Sequence, residues 1–305
     1  DRPEALRRTL EIAEKCEFCP SQLRYRYPWE WIPVGQTAQS YLEELTWKGA
    51  RWRYPEGIPE DVTRQLRHEL SLIEQLRFAD YFLTIWEIVD FAKKRDILCQ
   101  GRGSAANSAV CYCLHITEVD PARMSVLFER FISVERNEPP DIDVDFEHQR
   151  REEVIQYLYR KYGRHRAALT GVVISYRPRS ALRDVGRALG LTLEDIQAVS
   201  RGLQWHQGHL HMEPQWLRDR GLDPDRPLHH LWLELTEALI GFPRHLSQHP
   251  GGFVIARDDL AQLVPVENAA MEGRSVIQWD KDDLESLKLL KVDVLALGML
   301  NAIRK

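Results

Sequence analysis

Apolar residues recur at helical spacing through the first third of the chain. Val62, Leu66, Leu70 and Ile73 form one such set, and Phe82, Ile85, Val89 and Ala92 form the next. Each set lines one face of a helix and points to a core. Residues 4–16 and 37–49 also read as helices, the second opened by Thr37 as an N-cap. The aromatic, proline-bearing stretch around Tyr25-Arg26-Tyr27-Pro28 between them reads as loop. The pattern then changes. The short apolar run Ile97-Leu98-Cys99 predicts a strand, followed by Gly101-Arg102-Gly103-Ser104 and a small-residue helix over 105–114. Strands are expected over 140–146 and 172–174. Helices are expected over most of 150–240, with breaks near 202–208 and 223–226. Thr192 and Asp195 start one of them in the manner of a capping box, with Asp in place of the usual Glu or Gln. A final strand pair is expected over 252–256 and 289–295. Strands at both ends around a helical block predict an α+β sheet domain with a helical insertion.

A chain of 305 residues can bury a substantial core and divide into two units. No apolar run is long enough to span a bilayer, and no charged-then-apolar leader opens the sequence. It begins Asp1-Arg2-Pro3 without Met and reads as a fragment. Five cysteines, an odd number, point to reduced thiols and a cytoplasmic protein. Cys16 and Cys19 have the spacing of half a zinc site but lack a second pair, so a helix-end pair of small buried residues is favoured. His206, His209 and His211 cluster in a Trp- and Gly-bearing loop without a fourth ligand at recognised spacing. The net charge of −5 argues against a dedicated nucleic-acid binder. Locally the balance reverses: residues 147–190 hold ten Lys/Arg against four Asp/Glu. From charge alone that stretch is either DNA-facing or a solvated surface.

Candidate chemistry concentrates in Pro140-Asp141-Ile142-Asp143-Val144-Asp145-Phe146. Strand alternation sends Ile142, Val144 and Phe146 to one face and three carboxylates to the other. A row of like charges repels itself, and Mg²⁺, which takes hard oxygen ligands, relieves that repulsion. A solvent-exposed strand face is the alternative, and the regular apolar flanks favour the metal. Leu290-Lys291-Val292-Asp293-Val294-Leu295 repeats the logic with a single carboxylate, which is costly to bury unless paired or metal-bound. A salt bridge to Lys291 on the same face stays open as the simpler account. Gly101-Arg102-Gly103-Ser104 lies where a strand meets a helix, and there backbone N–H groups bind phosphate. It is neither a Walker motif nor a dinucleotide fingerprint, and alone it is equally a plain turn. Together the three elements make up a two-metal phosphoryl-transfer site. His249, ahead of a Gly-Gly turn, reaches a phosphate or caps a strand. Arg179, Arg183 and Arg187 fall at i, i+4 and i+8, with Leu182, Val185 and Leu189 displaced to another face.

The ordered set Gly101-Arg102-Gly103-Ser104, Leu127-Phe128-Glu129-Arg130-Phe131, Pro140 to Phe146, His249-Pro250-Gly251-Gly252, Gln278-Trp279-Asp280-Lys281 and Lys291-Val292-Asp293 resembles the bacterial C-family DNA polymerases. These are the alpha subunit of DNA polymerase III and its relatives. The resemblance implies that Asp143, Asp145 and Asp293 are the catalytic triad and hold two Mg²⁺ ions, with Asp141 structural. It makes Gly103, Ser104, Arg130, Arg136, Lys291 and His249 candidates for the incoming nucleotide. Arg177, Arg179, Arg183 and Arg187 become candidates for duplex DNA. Gln100 stands where replicative subunits usually have Pro, and Ala105-Ala106-Asn107 where they have Gly-Ala-Gly. With Arg136-Asn137-Glu138-Pro139-Pro140 and Ser175-Tyr176-Arg177-Pro178-Arg179-Ser180, this resembles the error-prone branch that serves damage-induced mutagenesis and translesion synthesis.

The implied architecture is a palm related to the polymerase beta nucleotidyltransferase fold over 15–174 and 251–305. A helical thumb would occupy 175–250 and the tail of a PHP domain 1–14, with fingers and C-terminal domains outside the chain. The implied partners are primer–template DNA and deoxynucleoside triphosphate. A sliding clamp and accessory mutagenesis proteins would bind regions elsewhere. The competing readings are a replicative alpha subunit, an inert DNA-binding fragment and a template-independent nucleotidyltransferase.

Overall fold

The computed structural model describes residues 3–19, 22–29, 32–121, 142–201, 205–206, 209–210, 218–223, 225–287, 289 and 291–305. They form two compact units, Asp1–Gly171 with Gln248–Lys305, and Val172–Ser247.

In the first unit, helices precede the sheet. Helix α1 (Pro3–Glu14) buries none of its residues. Helix α2 (Ala38–Arg53) starts at Thr37, whose hydroxyl accepts from the Ser40 N–H while the Thr37 N–H donates to Ser40 Oγ. This reciprocal pair satisfies two amides that an uncapped helix would leave open. Helices α3 (Glu60–Gln75) and α4 (Ala79–Lys94) bury the two stripes foreseen from spacing. Helix α4 closes with Asp96 in the left-handed region and the Ile97 N–H donating to the Ala92 carbonyl. Ile97 therefore completes a helix turn, and strand β1 runs Cys99–Arg102, two residues later than its apolar run suggested.

The sheet has seven strands in the order β1-β2-β9-β6-β3-β8-β7. Here β2 is Asp143–Glu147, β3 Ala167–Ser175, β6 Pro243–Ile255, β7 Val266–Asn268, β8 Ser275–Ile277 and β9 Lys291–Leu297. It is mixed: β2 runs parallel to β9, and β1 and β6 run antiparallel to their neighbours β2 and β9. Ile142, Val144, Phe146, Val292 and Val294 join the helices in one continuous core. Burial of a side chain the size of Phe146 contributes on the order of 1.5–3 kcal/mol. Helix α5 (Ala109–Cys113) follows a 3-10 turn, Gly103–Asn107. The single helix expected over 105–114 is thus broken at Ser108, whose side chain caps the second piece by accepting from the Cys111 N–H. Helix α6 (Arg151–Tyr162) ends at Gly163, φ 75°, a conformation that side chains rarely adopt.

The second unit has its own small core of Leu182, Val185, Ile196, Val199, Leu222 and Trp232. It is built by α7 (Pro178–Ala188), α8 (Leu193–Arg201), the helix Pro227–Leu239 and the short pair β4 (Trp205–His206) and β5 (His209–Leu210). Trp232 Nε1 donates to the Leu182 carbonyl at 2.8 Å, which ties the third helix to α7. Thr192 Oγ1 accepts from the Asp195 N–H, the cap foreseen for α8. Among the described residues no helix is long and apolar enough to cross a membrane.

Candidate active site

Strand pairing brings the carboxylates together. Asp143 of β2 stands directly beside Asp293 of β9 in the parallel register, and Asp145 follows two residues on. Paired residues share a face and alternate residues return to it, so all three carboxylates lie opposite the core-facing valines. Asp145 and Asp293 are buried and the Asp143 side chain is 27% exposed.

Cations already attend this face. Arg102, paired with Asp143 across β1 and β2, places Nε 2.8 Å from Asp145 Oδ2 and reaches Asp143 at 4.0 Å. Lys291 bridges Asp293 from the same strand face, the simple pairing left open from sequence. His249 Nδ1 accepts from the Gly251 and Gly252 amides at 3.2 and 2.6 Å. That nitrogen therefore carries the lone pair, and a neutral ring holds its proton on Nε2. His249 caps the strand turn, and the same nitrogen lies 3.9 Å from Asp293 Oδ1.

The donors on this face are hard carboxylate oxygens. Asp293 Oδ1 is buried with no hydrogen-bond partner among the described residues. In donor chemistry the face fits a divalent cation. With the side chains as they lie, held by Arg102 and Lys291, no three acidic, His or Cys groups among the described residues form a metal-holding cluster.

Gly252 makes room for Asp293, its partner in register. A Cβ there would meet Thr170 Oγ1 at 2.7 Å, His249 Nδ1 at 2.9 Å and Asp293 Oδ1 at 3.1 Å. Gly252→Ala is expected to displace the carboxylate, with a loss of about 1–3 kcal/mol in stability from overpacking. A thermal melt checks this, and an unchanged melting temperature would show that Asp293 tolerates the intrusion.

The Gly-Arg-Gly-Ser turn is anchored at its start by the Gly101 N–H, which donates to the Ile116 carbonyl. Gly103 has φ 62° and lies exposed, with Ser104 next in the 3-10 turn. Gln100 donates to Thr117 Oγ1 at 2.9 Å and accepts from the Glu118 N–H, contacts that Pro at this position would not supply. Arg130, Arg136 and Asp141 lie outside the described residues.

Arg177, Arg179, Arg183 and Arg187 are all exposed on or beside α7, while Ala181, Leu182 and Val185 face the core. Not every basic residue of the 147–190 stretch is available in this way. Arg150 pairs with Glu153, Arg151 Nε donates to the Val294 carbonyl, and Arg164 and Arg166 bind the chain at Asn268 and Ala256. Cys16 and Cys19 are exposed, not the buried pair expected. The side chains of His206 and His209 and the whole of His211 are outside what is described.

Three site-adjacent residues escaped the sequence reading. The Gly-Arg-Gly-Ser motif by itself assigns Arg102 no role. Tyr81, buried on α4 just ahead of the second core stripe, accepts from the Ile142 N–H and donates to the Lys291 carbonyl at 3.5 Å, linking the starts of both Asp-bearing strands. Glu69, in a core stripe, is fully buried. A charged residue interrupting an apolar helix face was the available signal for Glu69.

The family model for the bacterial DNA polymerase III alpha NTPase domain matches residues 40–296. The error-prone DNA polymerase of Bordetella parapertussis is 64% identical over 302 residues, covering 99% of this chain and 29% of that protein. Those of Methylococcus capsulatus and Alkalilimnicola ehrlichii are 62% and 60% identical over 300 and 303 residues, covering 98% and 99% of this chain and 29% and 30% of theirs. The chain spans about three-tenths of the length of these relatives.

Proposed function

The chain belongs to the bacterial DNA polymerase III alpha family, and from that premise we propose that it carries the nucleotidyl-transfer site of an error-prone, template-directed DNA polymerase. The observation that carries this reading is the register of Asp143 against Asp293, with Asp145 on the same face and the Arg102-Gly103 turn one strand away. Relatives named as error-prone polymerases, at 57–64% identity, favour that branch over a replicative subunit.

Asp143, Asp145 and Asp293 would hold two magnesium ions, which when bound supply Lewis-acid activation of the primer 3′ hydroxyl and charge neutralisation at the phosphates. The turn at Gly103 and Ser104 offers backbone N–H groups to the triphosphate of the incoming nucleotide. Lys291 and Arg102 neutralise the carboxylates in the resting chain and stand ready to face the phosphates, as would Arg130 and Arg136. His249 holds the backbone beside Asp293 and so orients that carboxylate. The first unit corresponds in this reading to a palm of the polymerase beta type and the second to a thumb that grips duplex DNA. Contacts with a sliding clamp and accessory mutagenesis proteins are assigned to parts of the longer relatives outside the matched span.

Single-turnover primer extension tests the reading, run on this chain and on the full-length protein. Template-dependent addition by the full-length protein is expected. Incorporation that ignores the template base would mark a template-independent transferase, and DNA binding without extension an inert binding unit. Within the site, Gly103→Val forces a β-branched residue to positive φ, a strain of about 1–3 kcal/mol. The nucleotide KM is expected to rise roughly tenfold with DNA affinity unchanged. Weakened DNA binding with normal nucleotide use would place the turn on the DNA instead.

A further inference from the structure

We propose that Glu69 is a positioning residue for nucleotide binding, holding the Gly103–Asn107 turn in place from its buried side. The inference rests on the reading of that turn as the phosphate site. Glu69 sits on α3 and is wholly inaccessible to solvent. Each of its oxygens takes two donors. Oε1 accepts from Gln65 Nε2 and the Ala109 N–H, both at 2.9 Å, and Oε2 from Ser108 Oγ at 2.8 Å and the Val110 N–H at 3.0 Å. Three of these donors lie on the residues that immediately follow the turn. With the Gly101 N–H held by the Ile116 carbonyl, the turn is pinned on both sides while Arg102 and Gly103 stay exposed between the anchors.

The number of donors decides the charge this arrangement needs. A carboxylate has about four lone-pair sites, and all four are filled. A protonated carboxyl turns one oxygen into a donor, which the Ala109 and Val110 amides cannot accept, so the Ser108 hydroxyl or the Gln65 amide must reverse its role to take it. Protonation therefore forces one partner to turn and removes the charge that strengthens the bonds to the 108–110 segment, which loosens the turn. Burial opposes ionisation and pushes the Glu69 carboxyl up to about 7 against the hydrogen bonds that favour the charge. Among the described residues no ion pair involves Glu69. The titratable groups facing it are the thiols of Cys111 and Cys113 on α5, which burial keeps neutral. Glu69 thus changes charge near neutral pH, and the turn tightens as pH rises through that value.

Glu69→Gln removes the charge at every pH and sets an NH₂ against the Ala109 or Val110 amide, a donor facing a donor. In the full-length polymerase at saturating primer–template, the nucleotide KM is measured for both proteins from about pH 6 to pH 8. At the high end the variant is expected to show a KM raised roughly three- to tenfold, with kcat within about twofold and DNA affinity unchanged. At the low end the two KM values converge. Equal KM values at high pH, or a ratio that does not vary with pH, overturn the proposal; a purely structural role would lower the melting temperature without splitting KM from kcat. Should Glu69→Gln not fold, Ser108→Ala removes one donor from the carboxylate and is expected to move the KM midpoint to higher pH. An unmoved midpoint overturns the proposal equally. Gly103→Val serves as the control. If it raises the nucleotide KM and Glu69→Gln does not, only the role of Glu69 fails; if neither does, the turn itself is not the phosphate site.

Discussion

Asp143→Asn, Asp145→Asn and Asp293→Asn are each expected to abolish nucleotide addition by the full-length polymerase, lowering turnover by at least ~10²–10³-fold. The substitution is isosteric, so the losses are electrostatic. In the proposed mechanism, one carboxylate fewer on the shared face of β2 and β9 would remove a hard anionic ligand and weaken charge stabilisation in the transition state. The three variants differ in what they leave behind. Asp143 is the most exposed, and its loss disturbs the fold least. Removal of the Asp145 charge takes away the 2.8 Å partner of Arg102, but the Arg102 side chain is 53% exposed and can turn to solvent. Asp293→Asn leaves the Lys291 ammonium, only 14% exposed, without its carboxylate, and is expected to show the largest drop in melting temperature. Rapid-quench extension at saturating DNA and nucleotide, beside a thermal melt, reads both effects. Near-normal extension by any of the three removes that residue from the catalytic set.

Replacing Arg179, Arg183 and Arg187 together with Ala is expected to flatten the salt dependence of duplex binding by about 2–3 units on the logarithmic slope. Each contact with a B-DNA phosphate releases counterions, at roughly 0.9 of slope per contact. The loss is expected to be alike for every primer–template sequence, since phosphate contacts carry no base information. In the proposed reading the three contacts are independent. All three arginines are exposed along one side of α7, and the only described acid near Arg183 is Asp184 at 3.4 Å, which Arg244 already holds at 3.0 Å. A surface pair of that kind is worth little and yields readily to phosphate. Turnover at saturating DNA is expected to change little, because the carboxylates belong to β2 and β9 and not to α7. An unchanged slope and affinity would return the stripe to ordinary solvated surface.

Wherever periodicity ran long, the sequence was legible. The stripes Val62–Ile73 and Phe82–Ala92, the Thr37 cap and the alternation through Asp143–Phe146 all describe what a single element does with its own neighbours. Three-residue β8 and β7 were not legible, because a segment that short carries no period. The break at Ser108 was hidden because its cause, Glu69, lies 39 residues away in sequence.

The candidate site divides along the same line. Residue types and their order determined that carboxylates share a strand face, that a lone Asp sits in a second apolar strand and that arginines line one side of a helix, because spacing alone sets which side chains share a face. Tertiary structure alone decided that Asp143 stands beside Asp293, that Arg102 meets Asp145, that the His249 ring accepts from the Gly251 and Gly252 amides, and that four donors converge on one buried glutamate. Strand order and register are settled by which apolar faces pack together across the whole core, and no local pattern in the chain encodes the partner a polar side chain then meets.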